Sequence, residues 1–374
     1  MKVMRPFLVM EVLQRANEME REGKSIIHLE VGEPDFPTPE HIKNAANEAI
    51  KKNFTGYTHS RGIPELREAI SEYYDERYGV DVPESRIIIT NGTSPAMLMI
   101  FSVIIKKGEK ILLCNPYYPC YPNAIEFLGG VPNYSYGQED DGFKLREIKK
   151  DEKTKAVLVN SPSNPSGAVL TRRELEKIVE ESKNLTIVSD EIYHGISYEK
   201  DCHSILEFTE DAFVVDGFSK RYSMTGWRIG YIIAPEKYVK KLEIIHQNFF
   251  ISTNSISQYA ALMALRGDQK CVEEMIREFK RRRDFMFQRL NEIGLKVKKL
   301  PEGAFYMLAN ISEFSNDSVR FAYELLENTG VAVTPGIDFG DATRTHVRFS
   351  YANSMENIEE AMNRIEDYIL SLNV

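Results

Sequence analysis

Val214-Val-Asp-Gly-Phe-Ser-Lys220-Arg-Tyr-Ser-Met-Thr-Gly-Trp-Arg228 puts a lysine just past an apolar run, with an arginine eight positions further on across a glycine-containing turn. A lysine amine forms an imine with an aldehyde only where it can shed its proton, which desolvation and nearby positive charge both promote. An arginine close by supplies that charge and anchors a phosphate. Alone, Ser219-Lys220 is a common dipeptide that reads as a solvated loop. Its surroundings argue against that, because Met224-Thr-Gly-Trp-Arg-Ile-Gly-Tyr231 carries the chain's one tryptophan inside a glycine-punctuated segment.

Outward from this stretch, short β-branched apolar runs alternate with amphipathic ones. Residues 86–90, 110–114, 155–159, 185–189, 212–215 and 229–233 read as strands, which predicts a mostly parallel sheet wrapped by helices. Helices are expected at 94–105 and at 171–182, where Thr171 and Glu174 form a capping box. Two earlier helices, from Thr38-Pro39 to Lys51 and from Pro64 to Tyr78, each have proline at the favoured first position. A long charged helix is expected over 269–291. After it, strands at 304–310, 331–334 and 346–350 lie between helices at 317–328 and 355–372, the pattern of a second, smaller α+β domain. With no low-complexity linker, the boundary falls within or beside the long helix, near residue 280.

In an open α/β sheet, ligands sit beyond the carboxyl ends of the strands. After 87–90 come Asn91, Gly92, Thr93 and Ser94, a turn opening a helix whose N–H groups and hydroxyls can cradle a phosphate. The proline-stiffened Asn115-Pro-Tyr-Tyr118-Pro offers Tyr118 as a ring to stack on a planar ligand, with Tyr117 packed in the core. In the turn-rich 160–167 loop, the Asn164 amide can donate to a phenolate oxygen. Asp190 ends an apolar strand and needs a positive partner, since a buried unpaired carboxylate costs several kcal/mol; a protonated pyridine nitrogen is one. Glu191 alternates away, as a surface or supporting acid, and the Tyr193 hydroxyl can share the phenolate oxygen with Asn164.

These segments, with Val31-Gly-Glu-Pro-Asp-Phe36, Tyr57-Thr-His-Ser-Arg-Gly62 and His346-Val-Arg348-Phe-Ser-Tyr351, resemble class I pyridoxal-phosphate-dependent aminotransferases of the aspartate aminotransferase type, fold type I, over nearly the whole chain. The resemblance implies a large domain (46–280) with a mostly parallel seven-stranded sheet between helices, and a small domain built from 281–374 and the amino-terminal segment 1–45. It makes Lys220 the Schiff-base lysine for pyridoxal 5'-phosphate, Asp190 the partner of the ring nitrogen, Tyr193 and Asn164 the donors to the ring oxygen, and Tyr118 the stacking ring. Gly92, Thr93, Ser94 and Arg228 would hold the phosphate, with Tyr57 reaching across from the other subunit of a homodimer. Arg348 and Gly32 would bind the substrate α-carboxylate. One departure stands out: Gly217 occupies a position where some relatives have a phosphate-binding serine, and Ser219 either replaces that hydroxyl or is structural.

The implied reaction is a ping-pong transfer from an L-amino acid to a 2-oxo acid, with a place in amino-acid metabolism and biosynthesis. Aspartate with 2-oxoglutarate is the leading pair, although 250–257 holds no second arginine for a distal carboxylate; alanine and aromatic donors follow. A carbon–sulfur β-lyase would keep the same residues. A cofactor-sensing regulator with a DNA-binding partner is disfavoured by a net charge of −9 over 374 residues, as is any nucleic-acid partner. The 43% apolar and 28% charged composition describes a globular protein. The apolar piece after Pro6 is too short for a signal peptide and no run reaches the roughly 18 to 20 residues of a membrane span, so a cytoplasmic protein is expected. Four cysteines without paired spacing and seven histidines without a His-Glu-x-x-His pattern point to neither a disulfide framework nor a bound metal.

Overall fold

A computed structural model describes residues 4–372. Its helices are α1 (Leu8–Arg21), α2 (Glu40–Lys51), α3 (Pro64–Tyr78), α4 (Thr93–Ile104), α5 (Cys120–Phe127), α6 (Arg172–Glu181), α7 (Glu236–Phe249), α8 (Ser255–Arg266), α9 (Lys270–Ile293), α10 (Ser318–Thr329) and α11 (Met355–Leu372). The strands are β1 (Ile27–His28), β2 (Ile87–Thr90), β3 (Lys110–Asn115), β4 (Val131–Tyr136), β5 (Thr154–Asn160), β6 (Thr186–Asp190), β7 (Ala212–Gly217), β8 (Gly230–Ile233), β9 (Tyr306–Asn310), β10 (Val331–Ala332), β11 (Thr334–Pro335) and β12 (His346–Ser350).

The architecture is α/β. Seven strands form one sheet in the order β2-β8-β7-β6-β5-β3-β4, parallel except for β8, which runs against both β2 and β7. Both faces are covered. Ile87, Ile89, Val157, Ile187 and Val214 pack on one side with Leu66 and Ile70 of α3 and Ala260 and Ala264 of α8. Ile88, Leu113, Leu158, Val188 and Val215 pack on the other with Ile100 and Phe101 of α4 and Leu242 of α7. Apolar residues on both faces make these strands read as continuous hydrophobic runs.

A further core gathers Met286 and Leu290 of α9, Phe305, Tyr306 and Met307, Phe321 of α10, Phe349 of β12 and Ile365 of α11. The chain's first elements join it: β1 pairs in parallel with β10 (Ile27 opposite Val331), and Val12, Ala16 and Met19 of α1 dock on Leu326 and Ala332. The sheet-side core takes in Ile42 and Ala46 of α2, on either side of the boundary expected at residue 45, and residue 280 lies within α9.

The differences from the sequence reading have local causes. The edge strand β4 is Val-Pro-Asn-Tyr-Ser-Tyr, with both ends exposed, and an edge tolerates the proline and polar residues that hide it. Pro39 precedes its helix in extended conformation (ψ 145°), whereas Pro64 does occupy the first helical position. The expected 331–334 strand is two short ones in different sheets. The capping box of α6 forms as read, Thr171 accepting from the Glu174 N–H.

At the β7–β8 pairing, Gly217 lies opposite Gly230, and a Cβ on Gly217 would stand 2.9 Å from the Gly230 Cα. The serine of some relatives has no room unless these strands part. Gly217→Ser should therefore lower stability by about 1–3 kcal/mol, the usual cost of overpacking, read as a lower denaturant midpoint. An unchanged midpoint would show that the strands separate freely.

Candidate active site

The carboxyl ends of β2, β3, β5, β6 and β7 face one cavity of about 340 Å³, and β8 starts at the same edge because it runs backwards. Its lining brings together Gly32, Thr93, Ser94, Tyr118, Asn164, Asp190, Tyr193, Ser219, Lys220, Arg228 and Arg348. Gly92, the residue before α4, lies against it with φ 91°, and a Cβ there would stand 2.6 Å from Arg228 Nη2. The guanidinium thus rests on bare backbone at a helix amino terminus, an anion site by geometry and dipole. Arg228, itself at φ 51°, donates through Nη1 to the Thr225 carbonyl (2.7 Å). Tyr57 is elsewhere, 84% exposed.

Lys220 donates to the Gly32 carbonyl at 2.6 Å, and its ammonium lies 5.9 Å from the Phe305 ring centroid. Burial pulls its pKa down to about 8; Arg348 and Arg228 act in the same direction, while Glu33 and Asp190 oppose. Asp190, at the end of β6, accepts from the Tyr121 hydroxyl (2.6 Å) and the Ile192 N–H (3.3 Å). Burial pushes its carboxyl up to about 6 against those two bonds and Lys220. Neither group has a full set of partners, which is how functional sites hold perturbed acids and bases.

Arg348 is buried, stacked 4.2 Å from the Tyr306 ring centroid and 4.8 Å from that of Phe339. It donates to the Asn164 Oδ1 (3.0 Å), the Glu30 carbonyl (2.5 Å) and the Thr334 hydroxyl (3.2 Å). The Tyr193 and Tyr306 hydroxyls are 2.7 Å apart. A Cβ on Gly32 would collide with the Tyr306 hydroxyl, so that position needs glycine. Tyr118 packs edge-on to Tyr121 at 5.5 Å.

Glu191 is not at the surface: it is 1% exposed and accepts from Ser189, Ser204 and the Ile205 N–H, with burial pushing it up to about 8. Sequence reasoning missed Tyr121, Tyr306 and the apolar wall of Phe7, Val9, Met10 and Leu13. Tyr121 is in the first turn of α5, three residues after Tyr118, and its ring meets that of Tyr118 edge-on. The wall was legible as a second apolar stripe on α1, beside the one that docks.

The model of the aminotransferase class I and II family matches residues 24–365. A Methanocaldococcus jannaschii protein named (5-formylfuran-3-yl)methyl phosphate transaminase is 44% identical over 367 residues, 97% of this chain and 96% of its own. A second protein of that organism, named a probable aspartate aminotransferase, is 42% identical over 351 residues, 91% of this chain and 92% of its own. A solved Methanococcus jannaschii structure, described as similar in its active site to kynurenine aminotransferases, superposes with a TM-score of 0.91 at 43% identity, covering 98% of each chain.

The chain belongs to the aminotransferase class I and II family. It is an enzyme, an aminotransferase with the fold of the aspartate aminotransferases. Such enzymes act on amino acids and oxo acids and are generally dependent on pyridoxal phosphate. Among the described residues no helix is long and apolar enough to cross a membrane.

Tyr121→Phe should raise the Asp190 pKa by about one unit, because a hydrogen bond to a charged group contributes roughly 1.5–3 kcal/mol and one unit is about 1.4 kcal/mol. A carboxyl NMR titration of cofactor-free protein reads this directly. An unmoved titration would mean that the hydroxyl does not hold the ionised form.

Proposed function

We propose that the protein is a pyridoxal-phosphate-dependent amino-acid aminotransferase that moves an amino group from an L-amino acid to a 2-oxo acid by a ping-pong cycle. The observation that carries this reading is Lys220, with its lowered pKa, facing the same cavity as buried Asp190 and the Arg228–Gly92 anion site. These residues fit the cofactor: an amine able to lose its proton, an acid short of a cation, and a helix start backed by a guanidinium. When bound, pyridoxal phosphate supplies an electron sink for the bond broken at the substrate α-carbon.

The chain's own residues do the rest. Lys220 would hold the cofactor covalently, and its Nζ is the base that would carry the substrate α-proton. Asp190 would pair with the protonated ring nitrogen. Tyr193 and the Asn164 amide donate to the ring oxygen, Asn164 having its Oδ1 engaged by Arg348. Tyr118 stacks; Gly92, Thr93, Ser94, Ser219 and Arg228 hold the phosphate. Arg348, a planar fork already stacked on Tyr306, takes the α-carboxylate beside the Gly32 backbone.

Tyr57 serves the site of a second copy in a homodimer. Its exposure supports this, as does that of Phe249 (77%) and Ile251 (52%). A cytoplasmic enzyme of amino-acid metabolism and biosynthesis, divided at residues 45 and 280 into large and small domains, completes the reading.

For the substrates, aspartate with 2-oxoglutarate is supported by the name of the 42% relative. The cavity supports uncharged donors, alanine and aromatic amino acids, more directly. Its lining cations are Lys220, Arg228 and Arg348, and its α1 wall is apolar, so a second carboxylate would be buried unpaired. A half-reaction screen, following the bound cofactor's absorbance as each amino acid is added, ranks the donors. Pyruvate and ammonia from cystathionine, with no amino transfer to any oxo acid, would favour the β-lyase instead.

Lys220→Ala should abolish turnover and the visible absorbance of the protein-bound cofactor while leaving the fold intact; retained turnover would remove the central assignment. Arg348→Ala should raise KM about 10- to 100-fold, the worth of roughly 1.5–3 kcal/mol of charge-assisted bonding, with kcat much less changed. A loss confined to kcat would contradict the clamp.

A further inference from the structure

The chain from His28 to Glu33 runs as a strap beneath the site. The Glu30 carbonyl accepts from Arg348 Nη2 (2.5 Å) and from the Thr334 hydroxyl (3.1 Å); two residues on, the Gly32 carbonyl accepts from Lys220 (2.6 Å), and Glu33 then accepts from the Thr225 hydroxyl. The strap is stitched in place by the Leu29 N–H to the Ala332 carbonyl (3.0 Å) and the Ser350 N–H to the Leu29 carbonyl (2.7 Å).

The Glu30 side chain is the anomaly. It is 0% exposed, and its Oε2 has no hydrogen-bond partner. Burying a carboxylate in that state is unfavourable by several kcal/mol unless a cation meets it. His28 meets it, with Nδ1 2.7 Å from Glu30 Oε1 and Nε2 3.4 Å from Glu20 Oε1 of α1. The imidazole thus bridges an interior acid and a surface acid, and the interior acid belongs to the residue whose carbonyl grips Arg348.

We propose that His28, protonated and bridged between Glu30 and Glu20, is a positioning residue for Arg348: its charge fixes the strap whose Glu30 carbonyl aims the guanidinium at the substrate carboxylate. This rests on reading Arg348 as the carboxylate clamp. The bond to Glu30 first, and then Glu20, hold the imidazolium above the ordinary histidine range against the pull of burial. Glu30 and Glu20 are the charged groups that act on the ring; of the neighbouring segments, Ala332 lies opposite on β10, and the Asn353 amide donates to the His28 carbonyl (2.9 Å). On the far side of the strap, the hydrogen bond from Arg348 to Glu30 goes to the backbone carbonyl.

The direction of the pH effect follows. Below the raised pKa of His28 the bridge is charged and the clamp is set. Above it the imidazole is neutral, the Glu30 carboxylate is left uncompensated, and the carbonyl that orients Arg348 loses its fixed position. Affinity for a carboxylate falls as pH rises.

The test uses cofactor-loaded enzyme and 3-phenylpropionate, a carboxylate without an amine, as competitive inhibitor across about pH 5.5 to 8.5, the range in which histidine titrates. Wild-type affinity should weaken about threefold to tenfold over that range, the size of coupling carried by a packed network. His28→Lys, charged throughout, should lose the step and stay tight. His28→Gln should be flat and weak, and Glu20→Gln, on the exposed side of the bridge, should move the step to lower pH. The cofactor attachment at Lys220 is common to every variant, so the differences between profiles read His28.

Superimposable profiles for wild type and His28→Lys would overturn the proposal. So would an unmoved step in Glu20→Gln, which decides the matter if a His28 variant does not fold. If Arg348→Ala leaves inhibitor affinity unchanged, the clamp reading itself is what fails. Weakening by Arg348→Ala with no response to His28 sinks the positioning role alone.

Discussion

Three cations share one cavity with a single buried carboxylate, Lys220, Arg228 and Arg348 against Asp190, and their mutual repulsion must be held in check by something other than counter-charge. Backbone carbonyls do most of that work: Thr225 takes Arg228, Glu30 takes Arg348, and Gly32 takes Lys220. Carbonyl dipoles fix the positions of the charges without neutralising them, so each stays available to an incoming anion or aldehyde. This requires the main chain to approach closely, which is why glycine stands at positions 32 and 92, where a Cβ would meet the Tyr306 hydroxyl or the Arg228 guanidinium. Carboxylate partners in place of carbonyls would have tightened the resting structure and blunted the site.

The sheet makes the convergence possible. Parallel strands deliver their carboxyl ends to one edge, and the single reversed strand β8 starts from that edge just after Arg228. Lys220 and Arg228, eight residues apart, therefore meet at the same cavity from the end of one strand and the start of the next. The glycine pair Gly217 and Gly230 lets β7 and β8 begin this reversal side by side.

Much of this was readable in the residues. Interior strands announce themselves because both faces are apolar, and Thr93, Ser94, Tyr118, Asn164, Asp190, Tyr193, Ser219, Lys220 and Arg228, singled out beyond strand ends, line the cavity. What the sequence hid were features that depend on partners far away along the chain. The edge strand β4 has no apolar alternation to betray it, Glu191 is enclosed by Ser204 and the Ile205 N–H of a later segment as well as by adjacent Ser189, and Tyr121 is an ordinary aromatic until Asp190 is placed beside it. The spare apolar stripe of α1 has meaning only once the cavity it faces is known.

The far wall of the cavity is held by a long reach: the Leu8 N–H bonds the Asp338 carboxylate 330 positions away, and Ile27 pairs with Val331. During synthesis α1 therefore waits for residues 326–338 before its docking face is covered, although Arg5 and Phe7 meet Asn123 and Tyr118 sooner. The sheet, with Asp190 and Lys220 at its edge, can pair its strands in that interval, since those pairings close within residues 87–233 and the helices that cover it end at Arg266. Nascent protein should thus pass through a stage with an ordered seven-stranded layer and an uncovered apolar face on α1, and such transient exposure of apolar surface is where chaperones find their clients.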